Sequence, residues 1–442
     1  MRQIIKSVAV FLIICSYGCK QQVILPDCEP GDASSINTPA TTNSPETIVL
    51  EPATIRDQLF HGNKSVLLAV NRVHKAKDEV NIARARLLPS INLGAILATG
   101  STPGFFLSSV EFLLPFLVPS KWFDYYAVKD LLKAELVALR LMKLNTYAST
   151  YSLYYSLLTD SSLYEILNSE ANDLSAIETN VEHSYQLGLA TEEDLNRARG
   201  QASLAKINLS KVSDLISIER ASMRHALGLS TETQISWTAA EVAKSDWEGR
   251  HIKEALEHAV VISPEAEQLH HLQSAAKKYS WSKLFGFLSG LTARTTSQDG
   301  KSFSDLTVGT GFSIGFDYFP AIRLSQHNLR EIELRQEELQ LELADVLEKG
   351  LATTAEAERR LAIALEAENA FEKIFNSRLG QYQLGLSELI PVLQARALWR
   401  QASVESLRAK IQIFLHRITL HRTMLTDQFS EIQDCKVIVK LK

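Results

Sequence analysis

Two hydrophobic periodicities alternate along this chain. From about residue 55 to residue 425 apolar positions recur mostly at helical spacing, and two stretches keep that spacing for a long way. Residues 124–183 contain neither proline nor glycine, and residues 323–379 contain only Gly350. At 1.5 Å per residue these predict helices of roughly 90 and 85 Å, longer than a compact domain uses. In the second stretch Ile332, Leu339 and Val346 lie one heptad apart, Leu329 and Leu343 two heptads apart, and Leu334 and Leu341 form a displaced row. Two apolar rows mean neighbours on two flanks, as in the wall of a tube or in a solid bundle. The spacing alone leaves both open.

Four segments switch to period two, at about 90–98, 105–117, 284–293 and 304–318. In the last, Leu306, Val308, Thr310, Phe312, Ile314, Phe316 and Tyr318 alternate with polar or small residues. A strand of that length suits a tilted membrane crossing better than a soluble sandwich, and Phe316, Tyr318 and Phe319 then fall in an interfacial aromatic girdle. Each half therefore reads as a β-hairpin, a long helix leading away, a corner and a returning helix. Unpaired strand edges are costly in hydrocarbon, so four strands per chain call for a barrel built from several chains. Two copies give eight strands and three give twelve.

The corners carry a repeat. YQLGLATEEDLNRAR begins at Tyr185 and YQLGLSELIPVLQAR at Tyr382, with seven of fifteen positions identical, which points to a duplicated structural unit. Gly188 and Gly385 are placed to end a helix in the left-handed conformation, and Leu187, Leu189, Leu384 and Leu386 to close an apolar contact over the turn. Thr191 with Asp194 predicts a cap for the returning helix in the first copy, and Ser387 is the natural cap in the second.

Composition narrows the function. At 442 residues, with 45% hydrophobic and 22% charged residues and a net charge of -5, the chain has no basic surface for nucleic acid. No catalytic or phosphate-binding motif is present, and His270 and His271, adjacent on a helix, point apart. The reading is of a non-enzyme without cofactor or metal. Arg2 and Lys6 precede the apolar run VAVFLIIC, which fits a signal peptide over residues 1–18. SYGC follows, so Cys19 is a candidate for lipidation, with ordinary cleavage or an uncleaved anchor as alternatives. Residues 19–54 read as a Pro/Ser/Thr-rich tether holding five of the twelve prolines. Cys28 and Cys435 can pair in an oxidising compartment or stay free.

The run ARARLLPSINLGA at 83–95, both YQLGL corners and SPEAEQL at 263–269 together resemble the outer-membrane efflux protein family, the TolC-like channels. The likeness covers about 55–425. It implies a mainly α chain with a membrane β part: two repeats, at 55–228 and 251–427, joined by a linker at 229–250 and followed by a tail at 428–442. It further implies a trimer whose helices form a tube in the periplasm, continued by a twelve-stranded barrel in the outer membrane. The implied partners are a periplasmic adaptor and an inner-membrane transporter of an efflux pump or type I secretion system. The corner residues Tyr185, Gly188, Leu189, Tyr382, Gly385 and Leu386 become candidates for adaptor docking.

The gate departs from the family pattern. Where relatives carry aspartates nine and twelve positions after the second corner tyrosine, this chain has Pro391 and Gln394; the first copy has Asp194 and Arg197, placed to pair. Closure is then expected from packing of Leu386, Leu389 and Gln394, with Pro391 bending the helix start. The competing reading is a periplasmic coiled-coil adaptor or tethering lipoprotein without a pore, which would carry sandwich strands around one hairpin.

Overall fold

A computed structural model describes residues 47–88, 109–113, 118–238, 241–296, 305–312 and 315–432. All fall within one compact unit, Thr42–Ile432. Cys19, Cys28, Cys435, the signal peptide and the strand expected at 90–98 lie outside the described residues.

Both halves follow one plan. The first runs β1 (Thr47–Leu50), α1 (Pro52–Gly62), α2 (Lys64–Ala85), β2 (Ser109–Leu113), α3 (Pro119–Gln186) and α4 (Glu192–Leu227). After β3 (Gln234–Trp237) come α5 (Ile252–Ile262), α6 (Pro264–Leu284), β4 (Leu288–Thr296), β5 (Asp305–Phe312), α7 (Tyr318–Gln383) and α8 (Leu389–Met424), then a 3-10 turn at Asp427–Glu431. Corresponding helices have 11 and 11, 22 and 21, 68 and 66, and 36 and 36 residues. The caps correspond as well. Asn63 opens α2 and Ser263 opens α6 with side-chain oxygens accepting backbone N–H bonds, and α4 and α8 both end in a left-handed residue, Gly228 (φ 68) and Leu425 (φ 48).

At 1.5 Å per residue α3 and α7 are each about 100 Å long, so they extend past the predicted 90 and 85 Å at both ends. α3 is packed by α2 and α4 of its own half and by α6 and α8 of the other. α7 is packed by α5, α6 and α8, all from its own half. The displaced row read from the sequence, Leu334 and Leu341, lies exposed on α7, while Leu343 and Leu347 are buried.

Two strand limits of the second half differ from those the alternation suggests. β2, β4 and β5 form one antiparallel sheet in that order, so a strand of the first half pairs with the hairpin of the second. The expected 284–293 strand begins only at Leu288, because α6 continues to Leu284 and Phe285 stacks on Phe123 (ring centroids 5.7 Å apart) at the helix end. The expected 304–318 strand ends at Phe312 in the described residues: Phe316 lies in a turn, and Tyr318 starts α7 with its hydroxyl donating to the Leu284 carbonyl at 2.8 Å. Among the described residues β5 is paired on one side only.

Two segments expected to be loose belong to the core. Within the expected tether, β1 pairs in parallel with β3 from the linker, and Leu50 is fully buried. Within the expected tail, Phe429 is buried edge-to-face on Tyr147 at 5.1 Å, and Ile432 is buried too. Both pack on Tyr147, Tyr151, Tyr154 and Tyr155 of α3. The tyrosine hydroxyls are satisfied, Tyr147 donating to Gln428 and Tyr154 to the Thr238 carbonyl, as burial requires. Here the ends of α1 and α4 cross at backbone contact: a Cβ on Gly62 would lie 2.2 Å from the Leu227 carbonyl oxygen, and Asn63 donates to the Ala226 carbonyl at 2.7 Å. Glycine at position 62 is a requirement of that approach. Further along, α3 and α4 bring the carboxyls of Asp160 and Glu219 together, with Glu219 Oε2 buried and without a hydrogen-bond partner.

Candidate functional site

The two YQLGL corners fold identically. In the first, Gly188 (φ 74) donates to the Tyr185 carbonyl at 2.9 Å and Leu189 to the Ser184 carbonyl at 2.8 Å. In the second, Gly385 (φ 71) donates to Tyr382 at 2.9 Å and Leu386 to Gln381 at 2.8 Å. These are the paired bonds of a Schellman turn, which satisfy the carbonyls a helix end leaves open. Nothing lies within 4 Å of a Cβ built on either glycine, so the left-handed backbone alone asks for glycine there.

The flanking leucines do not close over the turns as expected. Leu187, Leu189, Leu384 and Leu386 are 74–80% exposed. Turn chemistry is complete without them, so four large apolar side chains stand in solvent at one end of the molecule, where scattered exposure is ordinary but a cluster marks a contact surface. Tyr185 is exposed beside them and Tyr382 half-buried. A groove of about 900 Å³ separates the corners, lined among others by Asn180, Ser184, Asp194, Tyr382, Ser387 and Glu388. Burial, and then the Asp194 carboxylate, push the Tyr382 phenol up from its ordinary value.

The remaining corner residues sort by environment. Thr191 and Asp194 form the expected capping box: the Asp194 N–H donates to Thr191 Oγ1 at 3.1 Å, and the Thr191 N–H to Asp194 Oδ2 at 3.3 Å. With Asp194 committed to the cap, Arg197 pairs with Glu193 one turn back, not with Asp194 as expected. In the second copy Glu388, not Ser387, is the N-cap residue of α8, and its side chain makes no capping bond. Pro391 is the third residue of α8, where a backbone N–H has no partner within the helix, so no hydrogen bond is lost and no bend is needed. Leu389 is buried with Val392, Ala395 and Phe375 in the core between the hairpins. Its packing is therefore within one protomer. Gln394 is exposed. Among the described residues, no group of His, Cys, Asp or Glu could hold a metal ion, and no helix is long and apolar enough to cross a membrane.

Above the corners lies a feature the sequence reading missed. Arg396, noted there only as an identity between the repeats, is 2% exposed and pairs with Asp173 of α3 at 2.9 Å. Arg400 stands 3.4 Å from buried Glu170. Burial lowers the Arg396 guanidinium from its ordinary value, against Asp173 and Glu170, and raises the Glu170 carboxyl, against Arg400 and Arg396. Its signal in the sequence was an arginine in a helix face that otherwise reads Leu389, Val392 and Ala395.

No family model matches the chain, and no curated protein matches it in sequence. The fold has clear neighbours among solved structures. The outer membrane channel CmeC of Campylobacter jejuni aligns with a TM-score of 0.72 at 14% identity, over 86% of this chain and 88% of that one. The outer membrane protein VceC of Vibrio cholerae gives 0.68 at 12% identity, over 84% and 95%. The open state of the outer membrane channel MtrE of Neisseria gonorrhoeae gives 0.64 at 13% identity, over 84% and 88%.

Proposed function

We propose that this chain, which has the fold of the TolC-type outer-membrane channels, is itself a passive exit duct, the outer-membrane component of a tripartite efflux pump or type I secretion system. Three copies form the duct. Their helices line a tube in the periplasm, and their strands close a twelve-stranded barrel in the outer membrane. Cys19 carries the lipid that tethers each copy. The duct does no chemistry; an inner-membrane transporter supplies the energy, coupled through a periplasmic adaptor that meets the exposed corner residues Tyr185, Gly188, Leu189, Tyr382, Gly385 and Leu386.

The observation that carries this reading is the difference between two equivalent helices. α3 and α7 occupy the same place in the two halves, yet α3 is covered on both flanks and α7 on one. The uncovered flank of α7 exposes Leu334, Leu341, Ile363 and Ile374, and the opposite edge of the molecule, on α4, exposes Ile207 and Ile218. Placing α4 of a second copy on α7, as α8 sits on α3, buries both sets. Such a head-to-tail contact either closes into a ring or grows without limit, and three copies give the twelve helices and twelve strands of a closed tube and barrel. β5, paired on one side only among the described residues, supports the same closure.

The adaptor-like reading without a pore is disfavoured by the sheet, in which strands from both halves join. The docking role is tested by crosslinking in whole cells from Leu189→Cys and Leu386→Cys. Capture of an adaptor is the expected result. A protein crosslinked only to itself, in cells that contain the cognate pump, contradicts docking at the corners.

A further inference from the structure

The strand-side ends of α3, α6 and α7 meet in one platform. Near the start of α3, Phe123 stacks on Trp281 and Phe285 at the end of α6, with ring centroids 6.3 and 5.7 Å apart. At the start of α7, Tyr318 donates to the Leu284 carbonyl and meets Phe287 edge-on at 6.4 Å. From this platform β4 is four residues away in sequence, and β2 and β5 are six. Trp122, Trp281, Phe316 and Phe319 are exposed on it. The aromatic girdle expected on a long last strand thus stands mainly on helix ends.

Basic residues are sorted toward the same end. All five Lys and Arg of α3 lie in its first 25 residues, while the remaining 43, toward the corner, hold six Asp and Glu and no base. The three lysines of α6 all lie in its last eight residues, a placement that its dipole favours. On α3 the dipole gives no such reason: Lys121 is its third residue, where the positive helix end disfavours a base. Lys278 is committed to buried Asp130. Lys121, Lys283 and Arg323 are exposed, and none has an ion pair among the described residues. Exposed Trp and Phe beside unpaired bases is the chemistry of a surface that meets lipid headgroups, where rings sit at the interface and long basic side chains reach phosphates.

We infer that this platform is a binding surface for anionic phospholipid, with Lys121, Lys283 and Arg323 holding headgroup phosphates and Trp122, Trp281 and Phe319 set in the interface beside them. This rests on the membrane-spanning duct proposed above and adds a lipid preference to it. The periplasmic leaflet then packs against helix ends as well as strands, and its charged lipids fix the depth at which each copy sits.

Two measurements on the full-length protein test this. In neutral detergent, native mass spectrometry follows the binding of lipids added singly. Phosphatidylglycerol is expected to bind about a hundredfold more tightly than phosphatidylcholine, about fivefold for each of the three bases, and the variant Lys121→Gln, Lys283→Gln, Arg323→Gln is expected to bind the two alike. Equal binding by the unaltered protein, or a preference that survives in the variant, overturns the inference. So does dissociation of the copies in the variant, which would assign the bases to a contact between copies. In vesicles, lipid brominated near the headgroup is expected to quench Trp122 and Trp281. That quenching should vanish in Trp122→Phe with Trp281→Phe, because Trp237, Trp247 and Trp399 pack about 40 Å or more further along the long helices. Protein that inserts into the vesicles without such quenching overturns the platform alone, whereas protein that does not insert overturns the duct itself.

Discussion

At the scale of single residues, the two glycine corners and one acid pair make distinct demands. Gly188→Ala and Gly385→Ala meet open space, so their cost is backbone strain alone, about 1 kcal/mol each, to be read as a lowered unfolding midpoint in detergent. Leu189→Ala and Leu386→Ala truncate side chains that are 80% and 76% exposed and should leave that midpoint within about 0.5 kcal/mol of wild type, while weakening adaptor capture. Glu219 behaves in the opposite sense. Burial and Asp160 push it up to about 8 from an ordinary 4.5, so the folded state holds this proton more tightly than the unfolded chain. Its contribution is full below the unfolded value and is lost as pH rises through the folded one. Stability should therefore fall from about pH 5 to about pH 8, and Glu219→Gln should flatten that slope; equal slopes in the two proteins would remove the acid pair from the account. The glycines were legible because a left-handed helix end admits few other residues. The buried arginine was not, because its partners lie more than 200 residues away in sequence.

Between elements, the two halves share one order of helices and strands and differ at their joints. The helix lengths, the corners and the two-sided apolar rows of α7 could be read from periodicity, since each follows from local spacing. Strand limits could not. Alternation continues through Phe316 and Tyr318, but Phe316 stands exposed in a turn, and Tyr318 is held at the start of α7 by its contacts with Phe287 and Leu284. The packed segments at 47–50 and 427–431 were hidden for a related reason: they have too few residues to show a period, and they gain order from distant partners, β1 from β3 and both from the α3 tyrosines. Phe429→Ala should accordingly cost about 3–5 kcal/mol, measured as an unfolding midpoint, although it lies where the sequence suggested a tail. Gly62→Ala should also destabilise, because its Cβ meets a backbone carbonyl that cannot rotate away.

At the scale of the whole molecule, α3 is covered on both flanks and α7 on one. A helix of about 100 Å with an uncovered apolar flank is a half-finished wall, and burying each exposed leucine or isoleucine along it is worth about 1.5–3 kcal/mol. In the proposed ring the edge of α4 of a neighbouring copy covers that flank. Electron cryomicroscopy of the purified full-length protein tests this most directly. The expected image is a ring of three copies, α4 of each seated on α7 of the next, around a continuous passage that ends in a barrel. A monomer, or a dimer in which the α7 flanks pack on each other with no passage between them, would contradict the account.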